Sequence, residues 1–444
     1  MLSVLGYGMI ITFMVLIMTK RLPPLVALTL VPIIFAIIGG FAPDMGPMMV
    51  EGLKKVAPTA IMVMFAILFF GLMFDTGLFD PIIRAFIKII KGDPAKAVLF
   101  AALLAGLVSL DGDGSTTYMI TVTAMLPLFR RLRLNPLILP CVVILAASVT
   151  NLLPWSGPMA RVAAALQVET SELFIPLIPS MIIGFLGVLL LAYLLGLKER
   201  QRLGLLRAPG NPLRSTSMDE DMGDLLTLSD ENAELRRPKL FWFNALLTLA
   251  LMTCLVIELL PLPVLFMVAF CIGLTINYRQ MDEQRRRISA HAPAALTQIS
   301  IFIAAGIFAG ILSGTGMVKA MSSSLLWALP DTWGNYLAPI TALLSIPGTF
   351  FMSNDAFYYG VLPVLAHAAE AYGITAAEIG RASLIGQPVH LLSPLVASTY
   401  LLVGLAGVEF SDHQRYTMKW AFALSFLIMA AAMLMGLFPL YSSL

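Results

Sequence analysis

Long apolar runs separated by short polar segments make up most of the 444-residue chain. A helix needs about 20 mostly apolar residues to cross a bilayer, so runs near that length predict membrane spans. Runs interrupted by glycine, proline and polar residues predict hairpins or broken helices. Spans are predicted at 2–19, 24–42, 57–77, 173–197, 240–260, 264–278, 294–316 and 417–440, hairpins at 97–130 and 335–366, and broken helices at 136–167 and 378–407.

The polar stretch 109–117 is the most unusual part of the apolar pattern. It puts Asp111, Asp113, two glycines and four hydroxyl side chains between the apolar arms 97–108 and 118–128. Each arm is about half the length that a spanning helix needs, which predicts a re-entrant hairpin. Irregular backbone at membrane depth must be buried in protein or line a watery cavity, and charged groups there are usually functional. A solvated loop between two short helices is the alternative.

Composition agrees with a membrane protein. The chain is 59% hydrophobic and 12% charged, whereas a soluble protein carries about 25% charged residues. We therefore predict an all-α polytopic protein embedded in the lipid bilayer. The net charge of +2 gives no indication of a nucleic-acid partner. The first apolar run has neither the basic start nor the cleavage site of a signal peptide, so it is predicted to be a retained span.

The two halves of the chain carry the same elements in the same order, at an offset of about 240 residues. Each half has five predicted crossings and one hairpin. Because five is odd, the second half must be inserted upside down, which is the inverted-repeat plan of secondary transporters. The first repeat is predicted at 1–197, a linker at 198–239 and the second repeat at 240–444. The motifs in register are Ala57-Pro58 with Ala292-Pro293, Leu126-Pro127 with Leu362-Pro363, and Asn151-Leu152-Leu153-Pro154 with His390-Leu391-Leu392-Ser393-Pro394.

Basic residues predict the orientation. Most lysines and arginines of the predicted loops fall on one side of the membrane, and that side is cytoplasmic by the positive-inside rule. The prediction is a multi-pass protein of a bacterial-type inner (plasma) membrane. Both termini are then outside, and the central linker is cytoplasmic.

Polar residues concentrate in the two hairpin tips and the two helix breaks. Helix ends there expose N–H groups that attract anions and carbonyls that attract cations, and hydroxyls and amides add short polar contacts. This pattern predicts a pocket for a small anion with a coupling cation, and it offers no catalytic residue. The predicted substrate-binding residues are Ser115, Thr116, Thr117, Asn151, Ser156, Arg161, Ser353, Asn354, Gln387, His390 and Ser393.

Three carboxylates near such a pocket predict obligatory cation co-transport. Asp111, Asp113 and Asp355 would repel an anionic substrate unless protons or metal ions enter with it. Protonated carboxylates suit proton coupling, and a divalent ion bridging carboxylate and substrate suits metal coupling. Asp111 and Asp113 are the predicted metal-facing residues. The pattern leaves both couplings open.

Several single residues have two interpretations. Arg161 either clamps a substrate carboxylate or pairs with a nearby acid. His390 either serves protons and substrate or satisfies carbonyls freed by the break. Interfacial snorkelling is favoured for Arg381, and helix termination for Asp75. The remaining histidines, His291, His367 and His413, are predicted to lie in loops.

The tip and the first break resemble the citrate–metal:proton symporter (CitMHS) family. The resemblance covers nearly the whole chain except the linker. It implies uptake of citrate complexed with Mg²⁺ or Ca²⁺, driven by protons, with the metal held mainly by citrate and no resident cofactor. The segments that carry it include Ser109-Leu110-Asp111-Gly112-Asp113-Gly114-Ser115-Thr116-Thr117-Tyr118-Met119, Asn135-Pro136-Leu137-Ile138-Leu139, Asn151-Leu152, Pro154-Trp155, Gly157-Pro158 and Phe351-Met352-Ser353-Asn354-Asp355-Ala356-Phe357-Tyr358.

The two-hairpin plan also looks like that of the divalent-anion:sodium symporters. That likeness implies a homodimer and an elevator-type motion, in which hairpins and broken helices move against a fixed scaffold. Those symporters carry Ser-Asn-Thr at their tips. The tips here are Asp-Gly-Asp-Gly-Ser-Thr and Ser-Asn-Asp, which puts sodium coupling in doubt.

Four other functions are alternatives to this interpretation. Within the same class, the alternatives are a sodium-coupled di- or tricarboxylate symporter and a sugar-acid symporter. A passive anion channel is disfavoured by a pocket built from four elements. An intramembrane enzyme is disfavoured because His-Glu-x-x-His and Gly-x-Ser-x-Gly are absent, and because Asp111 and Asp113 belong to one loop, unlike a catalytic dyad.

Overall fold

The computed structural model describes residues 1–90, 92–112, 114–204, 234–328 and 330–442, and these residues form helices and connecting turns without any strand. The protein is a multi-helix membrane protein. Within the described ranges, six helical segments are long and apolar enough to cross a membrane: Met45–Asp75, Pro94–Asp111, Thr170–Arg202, Pro238–Val256, Met281–Gly314 and Phe410–Leu434.

The described residues up to 204 form nine α-helices, with a short 3₁₀ turn between the fifth and the sixth. Asp93 shows how local sequence sets one boundary, because its side chain accepts a hydrogen bond from the Ala95 amide and Pro94 occupies the first turn. The helices are α1 (Leu2–Met18), α2 (Pro24–Ile38), α3 (Met45–Asp75), α4 (Asp80–Ile90), α5 (Pro94–Val108), α6 (Gly114–Arg131), α7 (Ile138–Thr150), α8 (Gly157–Leu166) and α9 (Thr170–Arg202).

The described residues from 234 onward form eleven α-helices, in which two apolar helices again precede a long one. A π-helical turn, Ala356–Val361, interrupts the arm that leaves the second hairpin tip. The helices are α10 (Phe241–Val256), α11 (Leu262–Asn277), α12 (Met281–Gly314), α13 (Met317–Ala328), α14 (Asp331–Gly334), α15 (Leu337–Phe351), α16 (Leu362–Glu370), α17 (Ala376–Ser383), α18 (Gln387–His390), α19 (Ala397–Ala406) and α20 (Phe410–Leu434).

The two halves also share details of their helix boundaries. Gln167 after α8 and Gly407 after α19 both have left-handed backbone, with φ of 56° and 71°. Two residues later, Glu169 and Glu409 are the extended N-cap residues of α9 and α20. The duplication of the unit and the inversion of one half relative to the other stay predictions.

Two predicted spans begin earlier than the sequence pattern indicated. Helices α3 and α12 start at Met45 and Met281, so Pro58 and Pro293 lie inside them and do not open them. The charged residues ahead of each proline resembled a loop. A proline removes one backbone hydrogen bond, and a long helix packed against neighbours tolerates that loss.

Glycines let α3 and α12 pack with their backbones almost in contact. A Cβ atom on Gly52 would lie 2.0 Å from the Gly306 carbonyl oxygen, and one on Gly310 would lie 2.3 Å from the Met48 carbonyl oxygen. Small residues at such crossings replace the hydrophobic driving force that is absent between helices in lipid. This contact joins the corresponding long helices of the two halves.

The arms of the first hairpin are longer than predicted. The incoming arm, α5 with its 3₁₀ turn, covers Pro94–Asp111 and is by itself long enough to cross a membrane. The outgoing arm α6 continues to Arg131. The prediction of half-length arms is wrong because helix continues through the polar ends 94–96 and 129–131. The re-entrant path stays a prediction.

The prediction that three histidines lie in loops is wrong. His291, His367 and His413 lie within α12, α16 and α20. His291 Nε2 is 2.9 Å from an Asp75 carboxylate oxygen, which also accepts from Arg287 at 3.2 Å. Asp75 is the last residue of α3, so these contacts fasten its end to α12.

The far end of the predicted linker is fixed to the helical body. Residues 205–233 of the linker lie outside the described residues. Arg236 pairs with Asp80 at the start of α4, and the Arg237 guanidinium stacks over the Tyr278 ring at 4.6 Å. Burial raises the pKa of the Asp80 carboxyl, and the Arg236 charge counteracts part of that rise.

The glycine contact between α3 and α12 predicts a selective loss of stability. Gly52→Ala places a methyl group against the Gly306 carbonyl and should cost about 1–3 kcal/mol through overpacking. Gly46→Ala on the same helix is the control, because nothing lies within 4 Å of its Cβ position. Melting temperatures of the purified protein in detergent should fall for the first variant and hold for the second. Equal melting temperatures would contradict the packing argument.

Candidate functional site

The first break separates α7 from α8. Helix α7 ends at Thr150, and α8 restarts at Gly157 with Pro158 in its first turn. The N-cap residue Ser156 is extended, with ψ of 152°, and its hydroxyl donates to the Asn151 carbonyl. The break is therefore an ordered turn whose own side chains satisfy part of the freed backbone.

The second break, between α18 and α19, is closed in a related way. The Thr399 hydroxyl donates to the Leu391 carbonyl. From outside the break, the Gln414 amide donates to the Leu392 carbonyl at 2.9 Å. Unpaired carbonyls are costly in a membrane interior, so these bonds stabilise a non-helical segment that would otherwise be unfavourable.

Each hairpin tip is tied to the break of its own half. In the first half, Thr150 donates to the Ser109 hydroxyl and the Trp155 indole donates to the Leu110 carbonyl, both at 2.7 Å. In the second half, His390 Nδ1 lies 2.7 Å from the Thr349 carbonyl oxygen. The Ser393 hydroxyl then donates to the Phe350 carbonyl at 2.6 Å. The tips are thus held by side chains on the breaks.

The tips also contact the opposite half. Helix α6, which leaves the first tip, packs against α19, and the π-helical turn after the second tip packs against α8. At the first crossing, a Cβ atom on Gly114 would lie 3.5 Å from the Ser398 hydroxyl oxygen. The four candidate elements therefore form one interlocked group.

An amide chain links the two breaks. The Asn151 amide lies 3.4 Å from the Gln387 side-chain oxygen. The Gln387 amide donates to the Tyr358 hydroxyl at 2.7 Å and lies 3.5 Å from the Asn354 oxygen. Gln387 is fully buried. The longer contacts in this chain are weaker than the 2.7 Å bond.

A buried ion pair joins the halves beside this chain. Arg161 Nε donates to an Asp355 carboxylate oxygen at 2.6 Å, and the two side chains are only 14% and 11% exposed. Gly157, one turn earlier in α8, leaves room for the guanidinium, because a Cβ there would lie 2.7 Å from it. Phe302 of α12 lies 6.0 Å from the guanidinium carbon. Such a pair is strong only while both partners stay in place.

Comparison with known proteins adds to this geometry. A profile of the citrate transporter family, CitMHS, matches residues 13–386, well over half of the chain. The chain belongs to the citrate transporter family. The matched range contains both hairpin tips and the first break.

Full-length relatives of this citrate transporter family member come from Bacillus subtilis strain 168. The chain is 56% identical over 437 residues to a citrate transporter, covering 98% of this chain and 99% of that one. It is 49% identical over 439 residues to a Mg²⁺/citrate complex secondary transporter, with the same coverage. The family and both relatives are transporters, so this protein is a transporter and not an enzyme.

A solved structure gives independent support for the fold. Neisseria gonorrhoeae MtrF, described as one of a class of antimetabolite efflux pumps, aligns over 89% of this chain and 84% of its own, with a TM-score of 0.60. The sequence identity is 14%, so the likeness concerns the fold alone.

The structure brings five of the predicted site residues of the transporter into side-chain contacts. Asn151, Arg161, Asn354, Asp355 and Gln387 contact one another in the chain and ion pair described above. His390, Ser393 and Ser156 hold backbone carbonyls, and the Ser353 hydroxyl accepts from the Ala356 amide at 3.1 Å. The first-tip residues Asp111, Ser115, Thr116 and Thr117 lie around the start of α6, with Asp111 and Thr117 buried. Their assignment as substrate ligands stays a prediction.

Other predictions for the transporter have different outcomes. Asp113 lies outside the described residues. Arg381 donates to the Leu437 and Glu172 carbonyls, so it serves backbone groups away from the ion pair. In the described ranges, no group of three or more His, Cys, Asp or Glu residues is suited to hold a metal ion.

Some site residues were missed by sequence reasoning. Thr150, Trp155 and Gln414 position the tips and breaks, but a side chain that donates to a backbone carbonyl leaves no motif. Trp155 was visible only as part of the family resemblance. Tyr358 belongs to the segment that carries the same resemblance, which implies no role for it.

The ion pair of the transporter predicts a stability pattern. Arg161→Met leaves Asp355 buried without its partner and should cost about 3–5 kcal/mol. Adding Asp355→Asn to that variant removes the unpaired charge and should recover part of the melting temperature. Arg285→Met is the matched control, because Arg285 and Asp282 are 73% and 80% exposed and such pairs contribute about 0–1 kcal/mol. Equal losses for the two single variants would refute the buried-pair argument.

Proposed function

We propose that the protein is a secondary active symporter that imports citrate as a complex with a divalent metal, Mg²⁺ or Ca²⁺, coupled to protons. The observation that carries the proposal is the buried Arg161–Asp355 pair between the two halves of the chain. The family description and the names of two full-length relatives support citrate as the substrate. One of those names also supports the magnesium complex.

Charge complementarity favours the complexed form of the substrate. A guanidinium donates strong, charge-assisted hydrogen bonds to a carboxylate, which suits one carboxylate arm of citrate. Free citrate would bring further negative charge beside Asp111 and Asp355, which repel it. A divalent ion bound to the other arms neutralises most of that charge before the substrate enters.

The metal is cargo in this proposal and not a resident cofactor. Citrate itself supplies most of the oxygen ligands, which suit Mg²⁺ and Ca²⁺. Asp111 and Asp113 are the protein carboxylates proposed to face the ion, and related complexes with other divalent metals would be recognised in the same way. The absence of a dedicated cluster among the described residues does not decide between the metals.

Proton coupling follows from competition for Arg161. When a substrate carboxylate binds the guanidinium, Asp355 loses its partner in a buried position. An unpaired buried charge is expensive, so Asp355 takes up a proton from solution and becomes neutral. Release of the substrate restores the ion pair and frees the proton. Uptake of substrate and of protons are then obligatorily linked.

We extend the proposal to the architecture. Two inverted repeats, a homodimer and an elevator-type motion of the hairpins and broken helices against α3, α12 and their neighbours are consistent with the element order. The inner (plasma) membrane, with both termini outside and the linker in the cytoplasm, follows from the distribution of basic residues.

Uptake into proteoliposomes tests the function. Radiolabelled citrate should accumulate under an inward proton gradient when Mg²⁺ or Ca²⁺ is present, and a protonophore or a chelator should abolish accumulation. Accumulation that needs only Na⁺ would replace the proposal with sodium-coupled carboxylate uptake. Flux that merely equilibrates citrate would indicate a passive channel. Sugar acids added as competitors test the remaining alternative substrate class.

The coupling residue has its own prediction. Asp355→Asn mimics the neutral form, so proton-driven accumulation should fall at least about tenfold, while exchange of internal for external citrate without a gradient persists. Asp282→Asn, an exposed acid on α12, is the control and should behave like the wild type. Full proton-driven accumulation with the usual pH dependence in Asp355→Asn would overturn the coupling mechanism.

A further inference from the structure

The hydroxyl group of Tyr359 stands out among the polar groups near the ion pair. Tyr359 is 1% exposed, and its hydroxyl has no hydrogen-bond partner among the described residues. The neighbouring Tyr358 differs, because its hydroxyl accepts a bond from Gln387 at 2.7 Å. A buried hydroxyl without a partner is unfavourable, and native structures retain few of them.

Tyr359 follows Asp355 of the ion pair by four positions in the chain. The turn that contains it packs against α8, the helix that carries Arg161. The Tyr359 ring belongs to an apolar cluster that includes Phe13 of α1 and Phe308 of α12. Tyr359 therefore belongs both to the segment that begins at Asp355 and to the apolar cluster that includes residues of α1 and α12.

The local backbone explains how two consecutive tyrosines are both buried. Tyr358 and Tyr359 belong to the π-helical turn Ala356–Val361, which follows directly after Asp355. A π turn widens the helix by one residue and changes the direction of the side chains that follow, and such turns are frequent at functional sites. The same turn packs against α8, the helix that carries Arg161.

We propose that the Tyr359 hydroxyl and the Arg161 guanidinium form one carboxylate subsite, in which a carboxylate group of the substrate takes the place of Asp355. In this structure the Asp355 carboxylate is the anion bound to Arg161. An incoming carboxylate has two oxygens, so one accepts from the guanidinium and the other accepts from the phenol. This inference rests on the proposed function, because it assumes that the substrate carries a carboxylate.

The phenol suits this role for a chemical reason. It donates a hydrogen bond without bringing a charge that would need its own counter-ion in the substrate-free state. Arg161 alone would bind Asp355 and a substrate carboxylate in similar ways. A donor used by the substrate but not by Asp355 shifts the competition toward the substrate, as differential binding requires.

Ligand-dependent thermal stability of Tyr359→Phe tests the subsite. The probes are acetate, succinate, citrate and Mg²⁺–citrate, each added to purified full-length protein in detergent. Without ligand, Tyr359→Phe should melt at or above the wild-type temperature, because only an unpaired hydroxyl is lost. Carboxylate affinity should fall about 10–100-fold, the range expected for a lost hydrogen bond to a charged group. A purely structural role would instead lower the melting temperature without ligand.

Two tyrosine variants provide controls. Tyr7→Phe removes a hydroxyl whose bond to the Met321 carbonyl in α13 does not involve the ion pair, and it should leave carboxylate affinity unchanged. Tyr358→Phe breaks a bond that exists without ligand and should lower the ligand-free melting temperature. Together the two controls distinguish the general effect of removing a tyrosine hydroxyl from the specific effect of removing the Tyr359 hydroxyl.

The outcomes distinguish this inference from the proposed function. If Mg²⁺–citrate stabilises the wild type and Tyr359→Phe equally, the subsite is overturned and the function stands. If succinate stabilises the wild type, citrate does not, and Tyr359→Phe loses the succinate effect, the subsite is supported and the substrate must be revised. If no carboxylate stabilises the wild type, both proposals fall.

Discussion

A salt bridge withdrawn from water is the interaction on which the site depends. Arg161 and Asp355 come from different halves of the chain and are mostly buried. Each charge would be costly alone, with an effective penalty of several kcal/mol per ion, and their attraction offsets this only in good geometry. Whatever displaces one partner must therefore replace its charge. That requirement makes the pair a natural place for binding and neutralisation to be linked.

Around the pair, side chains on the helix breaks hydrogen-bond to groups of the hairpin tips. Trp155 and Thr150 fasten the first tip, and His390 and Ser393 fasten the second. Because a membrane interior offers little water, these bonds hold irregular segments in a defined shape. Several polar residues of the tips and breaks therefore maintain the irregular backbone itself. His390 helps to hold the second tip through Nδ1, which lies 2.7 Å from the Thr349 carbonyl oxygen.

Sequence patterns singled out polar residues that the structure brings into contact, such as Arg161 and Asp355, but placed the helix boundaries around them less well. Asp111, Asn151, Arg161 and Asp355 were recognisable because polar residues are rare and expensive inside apolar runs. The true starts of α3 and α12 were hidden, since charged residues ahead of Pro58 and Pro293 resemble loop sequence. His413 was misplaced for the same reason, although it is fully buried and lies 3.2 Å from the Thr417 hydroxyl.

Partners across the fold were the hardest part to foresee. No spacing rule connects Gln414 to the Leu392 carbonyl or Trp155 to the Leu110 carbonyl, because backbone acceptors are present at every position. The π turn had no signal either, so nothing distinguished Tyr359 from Tyr358. Packing of the whole chain decides which of two adjacent tyrosines finds a hydrogen bond.

The glycine contact between α3 and α12 also bears on how such a chain can evolve. Gly52 belongs to one half, and Gly306 and Gly310 belong to the other. The glycines of each half lie directly against the backbone of the opposite helix. A side chain introduced at this contact in either half would collide with the backbone of the other half. If the halves arose by duplication, the residues allowed at this contact in one half depend on the residues present in the other. A hybrid assembled from halves of two homologues keeps the crossing only when both parents supply the small residue.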